Sequence, residues 1–153
     1  MGRPLRSAAV LAAVIMLATS GCTESAPPEL AALDRPAGGT DALPAQIQPP
    51  EGLRTFRYVG DSDAAAVYAA RGPADRPWCV LLVSAQPEGK ISTWPASSAC
   101  TDDEQFARRG VATSVVGVSG EPAAALLLPD GFSGEVEQGW QIVGANLAVP
   151  LAP

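Results

Sequence analysis

Hydrophobic and polar positions fall into three regimes along the chain. Residues 8–18 run without a polar side chain. Residues 23–52 scatter single apolar residues among Pro, Gly and acids, and beyond Gly52 short apolar runs recur between turn formers. The third regime carries the fold. Residues 55–59 and 64–70 read as strands, favoured by Tyr58 and Tyr68, with Gly60-Asp61-Ser62-Asp63 as the turn between them. Residues 78–85 contain the unbroken run Cys79-Val80-Leu81-Leu82-Val83, short and partly β-branched, which suits a strand buried on both faces. Residues 86–90 form a loop, and 91–94 pair back as a hairpin. Thr101-Asp102-Asp103-Glu104 has the spacing of a capping box opening a short helix over 102–109. Acids sit at its positive end, Arg108 and Arg109 at its negative end, and Gly110 stops it. Residues 111–118, 123–128 and 141–150 complete the strands. The second of these is an Ala/Leu run with helical propensity, but its brevity and the Pro129-Asp130-Gly131 stop assign it to the sheet. The expected fold is α+β: a small antiparallel β-sheet-dominated domain with one short helix, over residues 53–153.

Composition removes mechanisms. Among 153 residues there is no His, so Ser/His/Asp and Cys/His relays, imidazole metal ligands and His-based pH switches are excluded. A formal charge of −6 argues against nucleic-acid binding, which needs clustered Lys and Arg to displace phosphate counterions. Asp102, Asp103 and Glu104 point to different faces of one helix turn and are accounted for by its cap, so no metal and no cofactor is implied.

Arg3 and Arg6 precede the apolar run, and Thr19-Ser20-Gly21-Cys22 follows it. This is the order of a secretory signal peptide over residues 1–21. An eleven-residue helix would rise only about 16 Å, short of the roughly 30 Å hydrocarbon core. Ser20-Gly21-Cys22 resembles a bacterial lipobox, with Thr19 where that family usually has Leu. The resemblance implies cleavage before Cys22 and fatty acylation of its thiol and amine, which anchors the chain to membrane lipid on the outer face of the cell membrane. Several acyl chains, at about 0.8 kcal/mol per buried methylene, hold where one alone is marginal. Loss of Arg3 and Arg6 takes the formal charge from −6 to −8, so attraction to anionic lipid adds nothing.

Residues 22–52 then read as the lipidated Cys plus an acidic, Pro/Gly-rich tether. After Cys22 they hold six Pro, three Gly, five acids and one base, Arg35. Such a segment does not bury enough apolar surface to order itself, and as a flexible chain it spans roughly 30 Å. Leu33, Leu43 and Ile47 leave a second reading open, in which residues 33–47 dock on the domain as irregular backbone.

With Cys22 assigned to lipid, Cys79 and Cys100 remain, and an exported context makes a disulfide their default state. It would pin the helix to the sheet. A closed loop of this length contributes about 3.4 kcal/mol in the chain-entropy model. Twenty intervening residues and no Cys-x-x-Cys argue against a redox or zinc pair.

Asp34-Arg35-Pro36, Asp41, Leu43-Pro44, Val67-Tyr68, Cys79-Val80-Leu81, Ser98-Ala99-Cys100, Arg109-Gly110, Leu128-Pro129-Asp130-Gly131 and Asn146 together resemble a family of small exported, often lipid-anchored actinobacterial proteins with no assigned activity. Nine Arg against one Lys fit a high-GC genome of that kind. The resemblance implies an envelope location and carries no catalytic residues.

Three kinds of function remain. The first is a non-enzymatic, monomeric envelope lipoprotein whose domain binds another envelope protein. The second is a ligand- or glycan-binding module with Trp94 and Trp140 as stacking platforms. The third is a hydrolase using carboxylates alone, with Asp61, Asp130 and Glu135 as separated candidates.

Overall fold

The computed structural model describes residues 26–63, 65–84, 94–118 and 120–151. The expected signal segment, Cys22 and residues 91–93 of the expected hairpin lie outside the described residues. Among the described residues eight strands form two antiparallel sheets. In the first, β1 (Arg54–Ser62), β2 (Ala65–Arg71), β3 (Trp78–Ser84) and β4 (Ala96–Thr101) lie in chain order. The second comprises β5 (Val111–Val116), β6 (Pro122–Leu127), β7 (Trp140–Gly144) and β8 (Leu147–Pro150), in the order β5-β6-β8-β7. Among the described residues two α-helices, α1 (Ala31–Asp34) and α2 (Asp103–Arg109), and a 3-10 turn at Gly39–Asp41 accompany them.

Period-two alternation decides which residues meet between the sheets. Val67 and Ala69 of β2, Trp78, Val80 and Leu82 of β3, Val111 and Val115 of β5 and Ala125 and Leu127 of β6 share one core with Leu147 of β8. The intervening residues Tyr68, Leu81 and Val83 form a second cluster on the opposite face of the first sheet, under Ile47, Leu43 and Phe56. Every residue of β3 is buried as a result, as its unbroken apolar run predicts. A third cluster, Leu126, Leu128 and Ala148, lies on the outer face of the second sheet beneath Phe132, Val136 and Trp140.

The segment read as tether contributes to two of these clusters. Leu30 and Leu33 are buried in the main core and Ile47 in the second. The docked reading of 33–47 is the one the structure shows, and the packed chain begins upstream of residue 53. The Ala31 amide donates to Asp130 Oδ2 at 2.6 Å, and the Asp130 amide donates to the Glu29 carbonyl at 2.8 Å.

Other boundaries move for local reasons. Residues 96–101 form β4 although Ala-Ser-Ser-Ala-Cys-Thr has no hydrophobic alternation. The strand satisfies the open edge of β3, and Ser97 Oγ meets Thr113 Oγ1 of β5 at 2.8 Å. Residues 141–150 are two strands, β7 and β8, folded back at Ala145-Asn146. The helix is capped one residue later than the box predicts. Asp102 is the N-cap and accepts from the Gln105 amide at 2.8 Å, because the β4 ladder holds Thr101 opposite Trp78. Glu104 pairs along the helix with Arg108 instead, at 3.4 Å.

The disulfide joins Cys79 and Cys100, as expected, but it works differently. The two residues are directly opposite on β3 and β4, with Cα atoms 4.1 Å apart, so it staples neighbouring strands rather than helix to sheet. A Cβ at Gly72 would come within 2.4 Å of both Cys79 Sγ and the Arg76 carbonyl, so only glycine passes beneath the bond. The helix is fastened by Trp78. Its ring stacks on Phe106 at 4.7 Å, its Nε1 donates to Asp103 Oδ1 at 2.6 Å, and the Arg71 guanidinium covers it at 4.4 Å. Gly110 then ends α2 at φ 70°, where a Cβ would also strike the Leu127 carbonyl at 2.2 Å. Phe106 is the only buried side chain of α2. Phe106→Ala should therefore cost about 3–5 kcal/mol, read from urea unfolding, and release the helix from the sheet.

Candidate functional site

The sharp stop at Gly110 sets Arg108 and Arg109 side by side at the end of α2. Facing them, residues 129–139 cross the outer side of the second sheet as a loop. It turns at Pro129-Asp130-Gly131 with Gly131 at φ 63°, lays Phe132 and Val136 on Leu126 and Leu128, and returns at Trp140, the first residue of β7. Between helix and loop lies a groove of about 510 Å³, floored by Leu126 and walled by Arg108, Arg109, Phe132, Glu135, Glu137 and Trp140. The Trp140 amide donates to the Glu137 carbonyl at 3.2 Å, which holds the aromatic ring and the acidic stretch together.

The charges in this groove are unspent. Arg108 is engaged by Glu104, but the side chains of Arg109, Glu135 and Glu137 have no hydrogen bond or ion pair among the described residues. A half-buried indole, a free guanidinium and two free carboxylates can stack a flat or CH-rich face while donating to and accepting from its polar edge.

The expected site residues separate. Trp140 lines the groove. Trp94 lies in the loop entering β4 and packs against the cluster of Ile47, Tyr68, Leu81 and Val83, so it closes a core. Of the three separated acids only Glu135 reaches the groove, where Glu137 joins it. Asp130 is occupied by the Ala31 amide and, through Oδ1, by Asn146 Nδ2 at 2.7 Å. Asp61 Oδ2 accepts from the Tyr58 hydroxyl at 2.6 Å on β1. Among the described residues there is no group of three or more Cys, Asp or Glu placed to hold a metal ion.

The densest polar network among the described residues centres on Asp41, which the spacing of the chain does not single out. Asp41 is buried and accepts four hydrogen bonds: Arg35 Nη1 at 2.6 Å and Nη2 at 2.7 Å, the Gly38 amide at 2.6 Å and the Tyr58 amide at 2.8 Å. Arg35, the single base in an acidic stretch, was the signal. Arg57 donates back to the Arg35 carbonyl at 2.8 and 3.0 Å. No known protein family, curated protein or solved structure matches the chain.

Both networks titrate. The Arg35 fork, followed by the Gly38 amide, holds the Asp41 carboxyl far below the ordinary value of 3.8. A depressed carboxylate stabilises the fold fully above that ordinary value and less as pH falls below it. Asp41→Asn should be less stable at neutral pH and show a shallower loss of urea midpoint on acidification. The Tyr58 hydroxyl, donating to Asp61, is pushed up to about 12 from 10.0. That bond stabilises below the ordinary value and is lost as pH rises toward the raised one. Asp61→Asn should bring one of the chain's two tyrosines down toward 10.0 in a spectrophotometric phenolate titration.

Proposed function

We propose that this chain is an exported lipoprotein, anchored through acylated Cys22 to the outer face of the cell membrane, that displays a small non-enzymatic binding domain. The observation that carries the binding role is the groove beside Trp140, where an aromatic wall stands with an unpaired Arg109 and unpaired Glu135 and Glu137. These groups stand exposed around one concavity and suit a ligand that engages them together. The anchoring role is supported by the signal-like order of residues 1–22. The Cys79–Cys100 bond suits an oxidising compartment and leaves Cys22 as the odd cysteine.

A carbohydrate ligand is favoured over a protein partner by Trp140 itself. An indole face against the CH face of a sugar ring, with guanidinium and carboxylates reaching its hydroxyls, uses every free group in the groove. A protein partner remains the alternative, docking through the same surface.

Cys22→Ala should move more than half of the protein from washed membranes to the soluble fraction. Trp140→Ala should weaken binding of neutral or N-acetylated oligosaccharides about tenfold, measured by calorimetry, whereas Trp94→Phe leaves it unchanged. Oligosaccharide binding that is indifferent to Trp140 would remove the groove from the account.

A further inference from the structure

Where the chain enters the fold determines how far the domain can stand from its anchor. Ala26, Pro27, Pro28 and Glu29 border a cleft of about 640 Å³ together with Ala107 and Arg108 of α2 and residues 129–134. The Glu29 carbonyl is fixed by the Asp130 amide at 2.8 Å, and Leu30 is fully buried. Cys22 is therefore separated from packed chain by very few residues. At roughly 3.6 Å per residue the span from Cys22 to Ala26 reaches at most about 14 Å, and to Glu29 about 25 Å. A thirty-residue tether would have allowed free excursion; this leash does not.

We propose that the pole of the domain carrying α2 and the 129–134 loop is held against the phospholipid headgroups, so that the groove beside Trp140 is membrane-proximal. The inference rests on acylation of Cys22. The groove adjoins the chain entry directly, since Arg108 and Phe132 line both it and the cleft at Ala26–Glu29. The leash does the holding. Arg108 and Arg109 on this pole are offset by Glu29, Asp130, Glu135 and Glu137, and the mature chain is acidic overall, so charge supplies no adhesion. Soluble macromolecules reach the groove only from the side, whereas a molecule borne by the membrane or lying along it meets the groove directly.

The opposite pole is defined by β6, which runs from Pro122 down to the 128–130 turn. Glu121 is exposed there, roughly 23 Å from Leu128 at about 3.3 Å per residue. Full-length acylated protein would carry a single donor dye at Ser133→Cys or at Glu121→Cys, leaving the Cys79–Cys100 bond intact. It would be reconstituted in phosphatidylcholine vesicles containing a headgroup-labelled acceptor lipid. Energy transfer should be several-fold higher from position 133 than from 121. A twenty-residue Gly/Ser insertion after Glu24 extends the leash to a root-mean-square span of about 27 Å and should erase most of the difference.

Equal transfer from the two positions, or a difference that survives the insertion, overturns the apposition. Flotation of the same samples separates the two layers of the argument. Protein that fails to float with vesicles overturns the lipid anchor and this inference with it. Protein that floats without the transfer difference overturns this inference alone.

Discussion

A strand with no face toward solvent must be covered twice, and β3 is such a strand. One cover is the second sheet. The other has to come from somewhere other than the α-helices of the described residues, which at four and seven residues are too short to roof a sheet. The N-terminal segment supplies it, passing Leu30 and Leu33 into the main core before laying Leu43 and Ile47 over Tyr68, Leu81 and Val83. Its irregular backbone forms few ladder bonds, so its order depends on side-chain fixings. Two aspartates provide them. Asp130 ties the strap at Ala31, and Asp41 ties it through Arg35, Gly38 and Tyr58. Asp41 accepts four hydrogen bonds and Asp130 two, so each carboxylate is engaged in holding the strap.

This arrangement gathers the chain entry, the end of α2 and the groove at one end of the molecule. The strap enters beside α2, the helix ends abruptly at Gly110, and the 129–139 loop folds over the second sheet, all at the same pole. Trp78 holds that pole together from below through Phe106 and Asp103. The groove is thus built between the end of α2 and the 129–139 loop, whose Phe132 and Val136 are seated on the second sheet. The staple at Cys79–Cys100 serves the same end by locking β4, an apolar-poor strand, onto the one strand on which both cores depend.

Much of this was legible from residue order. The apolar run at 79–83 announced a doubly buried strand, Pro129-Asp130-Gly131 marked the end of β6, and the acids and arginines around 102–109 framed α2. Elements that owe their state to a neighbour were not legible. β4 is small and polar and becomes a strand because β3 offers an edge; the strap is rich in Pro and Gly and becomes ordered because aspartates far away or locally folded bind its backbone. Thr101 had the right spacing for a cap, and pairing with Trp78 took it. For the groove, Trp140 and Glu135 could be named as candidates, but their meeting with Arg109 depends on the path of a loop across a sheet. Local sequence does not encode that path. Trp94, equally aromatic, was claimed by a core.

The tie between Ala31 and Asp130 spans ninety-nine positions of sequence. Segments that contact across such distances form late, since loop closure must precede their reward. The first part of the domain to be synthesised is therefore among the last to find its place, because its partners on β6 and the following turn do not yet exist. Until the far end arrives, β3 lacks the cover of the second sheet and the main core stays open, whereas the cover from Leu43, Ile47 and Phe56 is drawn from chain already made. The main core therefore closes only once β5, β6 and β8 have joined the strap and the first sheet.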